Sequence, residues 1–368
     1  MKPRRAAAVL VLLAAAAVPA AAHPAPFSYV DVRIETGAPS GSQSPPGISV
    51  TVAAHIFDLA HDLGIEPPER LLDAALRGQH AAAIATLLQN RLTFSADGDV
   101  LEAGPWSAPE IVNDQQLIRI RARYDLRAAA GSVVVAARLF PYDLAHQTFV
   151  NVYEGDALTS QQILDVGRIR FEHFTATRRG VDAIVRRFIG AGFQRLLSGG
   201  DHVLFLAGLL LLGGTLGRLL GIVSAYALAE SVALALAASG VFIPPARIVA
   251  PAVALSVVYI GVDNLMIRGG RDMRVTIALV FGLVHGFALA SILGALDRPR
   301  GSIWPLAAFD AGTALGALFI VAAMASLLSA VRAQSEAAGP RMATAGSALV
   351  AAAGAFLFIQ RLFFPGGI

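Results

Sequence analysis

Six apolar segments fill the C-terminal half of the chain, near residues 202–218, 220–239, 248–267, 275–294, 303–330 and 342–364. Each runs about 20 residues or more, about 30 Å as a helix, which is the thickness of the bilayer hydrocarbon. The fifth is longer and emerges before residue 330. Inside lipid the backbone has no water to bond, so such segments fold as helices. Composition supports this. Of 368 residues, 55% are hydrophobic and only 15% charged, too few charges to cover a soluble surface of that size. The same excess excludes a disordered chain. Residues 201–368 are therefore expected to form an α-helical polytopic membrane domain of about six transmembrane helices.

The N-terminal part reads differently. Lys2, Arg4 and Arg5 precede an apolar run from Ala6 to Val18. Ala20-Ala21-Ala22 then supplies a small-residue cleavage site, so residues 1–22 read as a signal peptide. Residues 23–180 hold six of the eight histidines and most of the acidic residues outside the membrane part. Phe27–Ile34, Ile48–Ile56, Leu117–Tyr124, Ser132–Leu139 and Thr148–Tyr153 alternate or are rich in β-branched residues, and read as strands. A helix-period pattern runs from Pro67 through Leu88. The expectation is a β-rich, sandwich-like extracytoplasmic domain with an inserted helix. Residues 181–200, with Arg186, Arg187 and Arg195, read as an amphipathic connector lying along the membrane surface.

Loop arginines give an orientation. Arg218, Arg268, Arg271, Arg274, Arg332 and Arg341 fall on one side of the six spans; Arg247, Arg298 and Arg300 fall on the other. The richer side should be cytoplasmic, which leaves the β-rich domain in the periplasm of a bacterial inner membrane. The chain has no cysteine, which removes disulfides and thiolate metal sites. Its arginines are dispersed, with no basic footprint for nucleic acid.

Ionisable groups within membrane spans are rare because an uncompensated charge is costly there. Asp201 and His202 open the first span, Glu230 lies along the second, and Asp263 with Asn264 is near the inner end of the third. His285 is central in the fourth, and Asp310 lies in the outer half of the fifth. Carboxylates with neutral imidazoles suit a divalent first-row cation, and a ladder of weak sites suits one that must leave again. Each residue also has a structural reading: Asp201 as a helix cap, His285 as an interhelical bridge, Asp263 as a partner of Arg268. Arg361 is expected to snorkel to the outer surface.

At these residues the chain resembles the HupE/UreJ family, in its branch with an N-terminal extracytoplasmic domain. The resemblance rests on Ser198-Gly-Gly-Asp-His-Val-Leu-Phe-Leu206, Ala254-Leu-Ser-Val-Val-Tyr-Ile-Gly-Val-Asp-Asn264 and Phe281-Gly-Leu-Val-His-Gly-Phe287, with Phe309-Asp-Ala-Gly312 as a looser match. It covers about residues 190–330 and implies uptake of nickel, cobalt or another divalent metal. Asp201, His202, Glu230, Asp263, His285 and Asp310 would then be the metal-handling residues. The chain departs from the family pattern at Arg195, where a histidine is typical, at Glu230 before Ser231, and at Ala314 and Ala317.

In the outer domain, cleavage after Ala22 would leave His23 as a terminal chelator, with copper(II) its natural ion. Asp58, His61 and Asp62, close to His55, would share a helix face and read either as a second metal site or as a solvated surface. No Ser-His-Asp order, phosphate loop or HExxH motif suggests an enzyme. The reading is a divalent cation permease with no permanently bound cofactor. The alternative is a membrane-anchored periplasmic binding or assembly factor serving a metalloprotein partner.

Overall fold

Alternation of apolar and polar side chains builds the N-terminal part. The computed structural model describes residues 27–35, 45–112, 115–266, 272–296, 298–299, 301–334 and 338–364. The signal segment, His23, Arg268, Arg271 and Arg300 lie outside the described residues. The chain divides into two compact units, Met1–Glu172 and His173–Ile368, whereas the sequence reading put the outer domain's end at residue 180.

In the first unit, β1 (Phe27–Glu35), β2 (Gly47–His55), β3 (Leu92–Ala96), β4 (Asp99–Val100), β5 (Glu110–Val112), β6 (Leu117–Asp125), β7 (Ser132–Ala137), β8 (Gln147–Glu154), β9 (Ala157–Leu164) and β10 (Arg170–Phe174) form two sheets. One has the order β5-β6-β2-β1-β8-β9, the other β10-β7-β3-β4. β1 is its sheet's axis: Val32 pairs with Val50 of antiparallel β2 and with Val152 of parallel β8. Val30, Val32 and Ile34 point inward to a core shared with Val50, Val52, Ile118, Phe94 and Val135. The intervening residues of β1 face outward, as period 2 demands.

The helix expected over residues 67–88 is broken. A 3₁₀ turn at Pro68–Leu72 precedes α2 (Ala74–Gln79) and α3 (Ala81–Gln89). Asp73 causes the break: its backbone is extended and its carboxylate accepts from the Leu76 amide at 2.8 Å, capping α2. An earlier helix, α1 (Ile56–Leu63), is capped by the His55 ring and ends at left-handed Gly64.

The second unit is helical: α4 (Arg178–Ser198), α5 (Gly200–Leu211), α6 (Leu216–Ala238), α7 (Ala246–Met266), α8 (Arg274–Ala295), α9 (Trp304–Gln334) and α10 (Ala338–Phe363). Five of them, α6 to α10, are long and apolar enough to cross a membrane. The segment expected near 202–218 is shorter. α5 has 12 residues, about 18 Å. It stops before Gly213 and Gly214, whose positive φ values of 67° and 144° no helix continues.

α4 packs extensively against α9. Ile184, Phe188, Gly192 and Leu196 recur every fourth residue and form one buried stripe. Phe188 meets Ala308 and Phe309, and Phe193 sits 6.1 Å from Phe319, ring to ring. Arg186 and Arg187 occupy the exposed opposite face.

Three helix pairs make the closest contacts: α6 with α8, α7 with α10, and α4 with α9. Each is a seam of small residues. A Cβ added at Gly286 of α8 would overlap the Glu230 carbonyl of α6 and lie 2.8 Å from the Ala233 methyl. Gly354 of α10 against Val258, and Gly312 of α9 against Ile189, meet backbone in the same way. At the end where α7 leads to α8, Arg274 pairs with Asp272 at 2.9 Å and donates to the Leu209 carbonyl at 3.0 Å, satisfying the end of α5.

A buried histidine and carboxylate centre

The break between α4 and α5 places two ionisable residues in the first turn of α5, inside the bundle. Asp201 is 5% exposed and His202 wholly buried. The Asp201 Oδ1 accepts from the His202 backbone amide at 3.0 Å and lies 3.0 Å from His202 Nδ1. Its Oδ2 accepts from Arg361 at 2.8 Å. Arg361, part-exposed, turns to this buried carboxylate and also donates to the Ala250 carbonyl at 3.1 Å. A carboxylate can only accept, so His202 Nδ1 carries a proton, and in the neutral ring Nε2 then keeps a lone pair.

His285, from the middle of α8, is also wholly buried, its ring centroid 4.6 Å from that of His202. Ser256 of α7 fixes it. The Ser256 hydroxyl donates to the Val253 carbonyl at 2.6 Å, and its oxygen is 2.9 Å from His285 Nε2. A hydroxyl has one proton, so Nε2–H must be the donor of that second bond and Nδ1 keeps its lone pair. His202 Nε2 and His285 Nδ1 are both buried without a hydrogen-bond partner, and so is Glu230 Oε2. Buried polar atoms normally have partners, so these three, together with the likewise unpartnered hydroxyl of Tyr226, are a feature to explain. Glu230 is brought there by the Gly286 seam and faces His202, Tyr226 and Thr313.

Asp201, His202, Glu230 and His285 thus converge. Asp310 adjoins them through Ser231, whose hydroxyl lies 2.9 and 2.8 Å from its two carboxylate oxygens across the α6–α9 contact. Asp263 does not join. It lies toward Asp272 at the other end of α7, with its Oδ2 buried and unpartnered, while Asn264 donates to the Gly208 carbonyl at 2.8 Å. The sequence reading assigned no role to Ser256, and it missed the inward turn of Arg361. Ser256 sits within the second resembling segment, and Arg361 is a charge inside an apolar run; those were the available signals. Among the described residues no three His, Asp or Glu side chains stand ready as a group to hold a metal ion.

Fold and centre together define a polytopic membrane protein with a buried histidine–carboxylate core. The HupE/UreJ protein family matches residues 172–361, and the chain belongs to that family. No curated protein matches the chain.

In the strand-rich unit, Asp58, His61 and Asp62 lie close together, with His61 Nδ1 3.1 Å from Asp62 Oδ1, but form no three-ligand metal group among the described residues. Asp58 is buried and accepts from the Tyr142 hydroxyl at 2.6 Å, His61 stacks on the Tyr142 ring at 3.7 Å between centroids, and Asp62 pairs with Arg91. His146 is buried 3.6 Å from Asp58, edge-on to Phe140. Burial pushes the His146 imidazole below its ordinary value of 6.5, and burial pushes the Asp58 carboxyl up despite the Tyr142 bond. Below pH 6.5 unfolded His146 takes a proton that the folded chain refuses, so stability falls as the pH drops. Asp58 acts oppositely, because its raised folded value favours proton uptake on folding at lower pH. The melting temperature of this unit is expected to fall between pH 7 and pH 5, and His146→Gln should reduce that fall. Thermal unfolding followed by the strand signal measures it; an equal fall in both proteins would remove His146 as the cause.

Proposed function

We propose that the chain is a permease of the bacterial inner membrane that moves a divalent first-row cation, of the nickel or cobalt type, through the centre built by Asp201, His202, Glu230 and His285. The observation that carries the reading is the trio of bare acceptors, His202 Nε2, His285 Nδ1 and Glu230 Oε2. Two neutral imidazoles, each held in one tautomer by a bond from its other nitrogen, are the usual preparation of histidine for metal. Asp201 orients one ring and Ser256 the other. Incomplete pre-assembly of the ligands suits a cargo that must leave. Asp310 would relay toward the end where α6 joins α7, and Asp263 toward the opposite end. In this reading the strand-rich unit faces the periplasm, as the loop arginines and the signal-like first 22 residues suggest.

Proteoliposomes containing the full chain are expected to accumulate nickel or cobalt in preference to zinc or manganese, and empty vesicles not. Failure to accumulate any of the four, with the protein shown inserted and monodisperse, would end the permease reading. A second reading would then take its place. Arg195 at the family's histidine position, and the absence of a ready three-ligand group among the described residues, favour a membrane-anchored factor that binds metal or a metalloprotein partner without transport.

A further inference from the structure

A cavity of about 620 Å³ lies beside the buried centre, walled by α7 and α8 near the end where α6 joins α7. That volume is within the range of small-molecule sites. Three guanidinium groups line it, those of Arg195, Arg298 and Arg361, with Asp201 the sole acidic lining residue among the described residues. Asp201 is already bound by Arg361 at 2.8 Å. Among the described residues two positive charges are therefore left over. The Arg195 Nε is buried and has no hydrogen-bond partner, and Arg298 is exposed. Apart from Ser291 the rest of the wall is apolar, with Val253 and Phe287 among its residues.

We propose that this cavity binds the oxyanion group, carboxylate or phosphate, of a small ligand or a lipid whose remainder rests on the apolar wall. The chemistry selects the sign. Arginine presents a planar fork of donors that matches carboxylate and phosphate oxygens, and an apolar wall strengthens that attraction. An anion would supply the Arg195 Nε with the acceptor it lacks. A bare divalent cation would meet net repulsion here. The inference is separate from the permease reading, since it concerns binding and needs no transport.

The test uses the full chain in nanodiscs. In the first arm the lipid is zwitterionic, and citrate or inorganic phosphate is titrated by calorimetry. In the second the lipid includes phosphatidylglycerol, and lipid retained by the protein is counted by native mass spectrometry. Wild type is compared with Arg298→Gln and Arg195→Gln. Arg298 is exposed, so its variant should fold normally; the Arg195 variant is included only if it is monodisperse. A soluble anion bound by wild type, and at least about tenfold more weakly by Arg298→Gln, identifies a free ligand. Phosphatidylglycerol retained by wild type and lost from the variant identifies a lipid headgroup. Either result supports the site. Folded wild type that binds neither probe, or binding unchanged in the variants, overturns it.

Discussion

His285→Ala is expected to bring ion accumulation in proteoliposomes down to the level of empty vesicles while leaving the bundle folded. The imidazole is wholly buried, and its Nδ1 has no partner within the protein. Removing it takes away a proposed ligand and also the bond that Ser256 receives at 2.9 Å. Ser256 keeps its bond to the Val253 carbonyl, so no hydroxyl proton is stranded. Ser256→Ala separates the two effects. It leaves the ligand in place but frees the ring to change tautomer, and loss of such an orienting bond typically costs about 10–100-fold in metal affinity. The expected pattern is a loss in His285→Ala that excess ion does not rescue, and in Ser256→Ala a loss that excess ion does rescue. Normal accumulation by His285→Ala would remove the histidine from the path.

The second large effect concerns folding. Gly286→Val should prevent assembly of the bundle, because the new side chain would occupy the space of the Glu230 carbonyl and the Ala233 methyl. Backbone cannot rotate aside as a flexible side chain can. The α6–α8 seam would have to open, at a cost at the upper end of the overpacking range, about 3 kcal/mol or more. Gly294 is the internal control. It lies on the same helix, and a Cβ there meets nothing within 4 Å. Gly294→Ala should leave yield and melting temperature unchanged or slightly raised, since alanine is the better helix former. The comparison is made by detergent-solubilised yield and thermal unfolding of the three proteins. Equal behaviour of Gly286→Val and Gly294→Ala would refute the tight seam.

The spans were legible because length and apolarity alone define them, and the strands β1, β2, β6, β7 and β8 because they alternate or are rich in β-branched residues. β9 was not legible: Ala157–Leu164 is largely exposed and polar, and its pairing with β8 supplies the order that its own side chains do not. The shortness of α5 is set by two glycines in left-handed backbone, which a hydropathy reading averages away. The packing of α4 against α9 was not legible because its arginines dominate its composition, while its buried stripe, Ile184 to Leu196, is visible only at four-residue spacing. Of the site, polar residues in apolar helices announced themselves. Their mutual arrangement did not, because Asp201 and Asp263 look alike in sequence and differ only in which helices meet around them. The role of Ser256 depends on a contact between residues 29 positions apart. The direction of Arg361 depends on one 160 positions away.

The three glycine seams have a mechanical consequence. Backbone packed against backbone resists shear, so each helix pair behaves as a stiff stave, and compliance is confined to the joints between staves. The joint between α7 and α8, which belong to different staves, encloses the cavity and is spanned by the Ser256–His285 hydrogen bond. Sliding one stave against the other must stretch that bond. It would then free the Nε2–H group whose bond to Ser256 holds the His285 tautomer, so the joint and the donor atom act as parts of one latch.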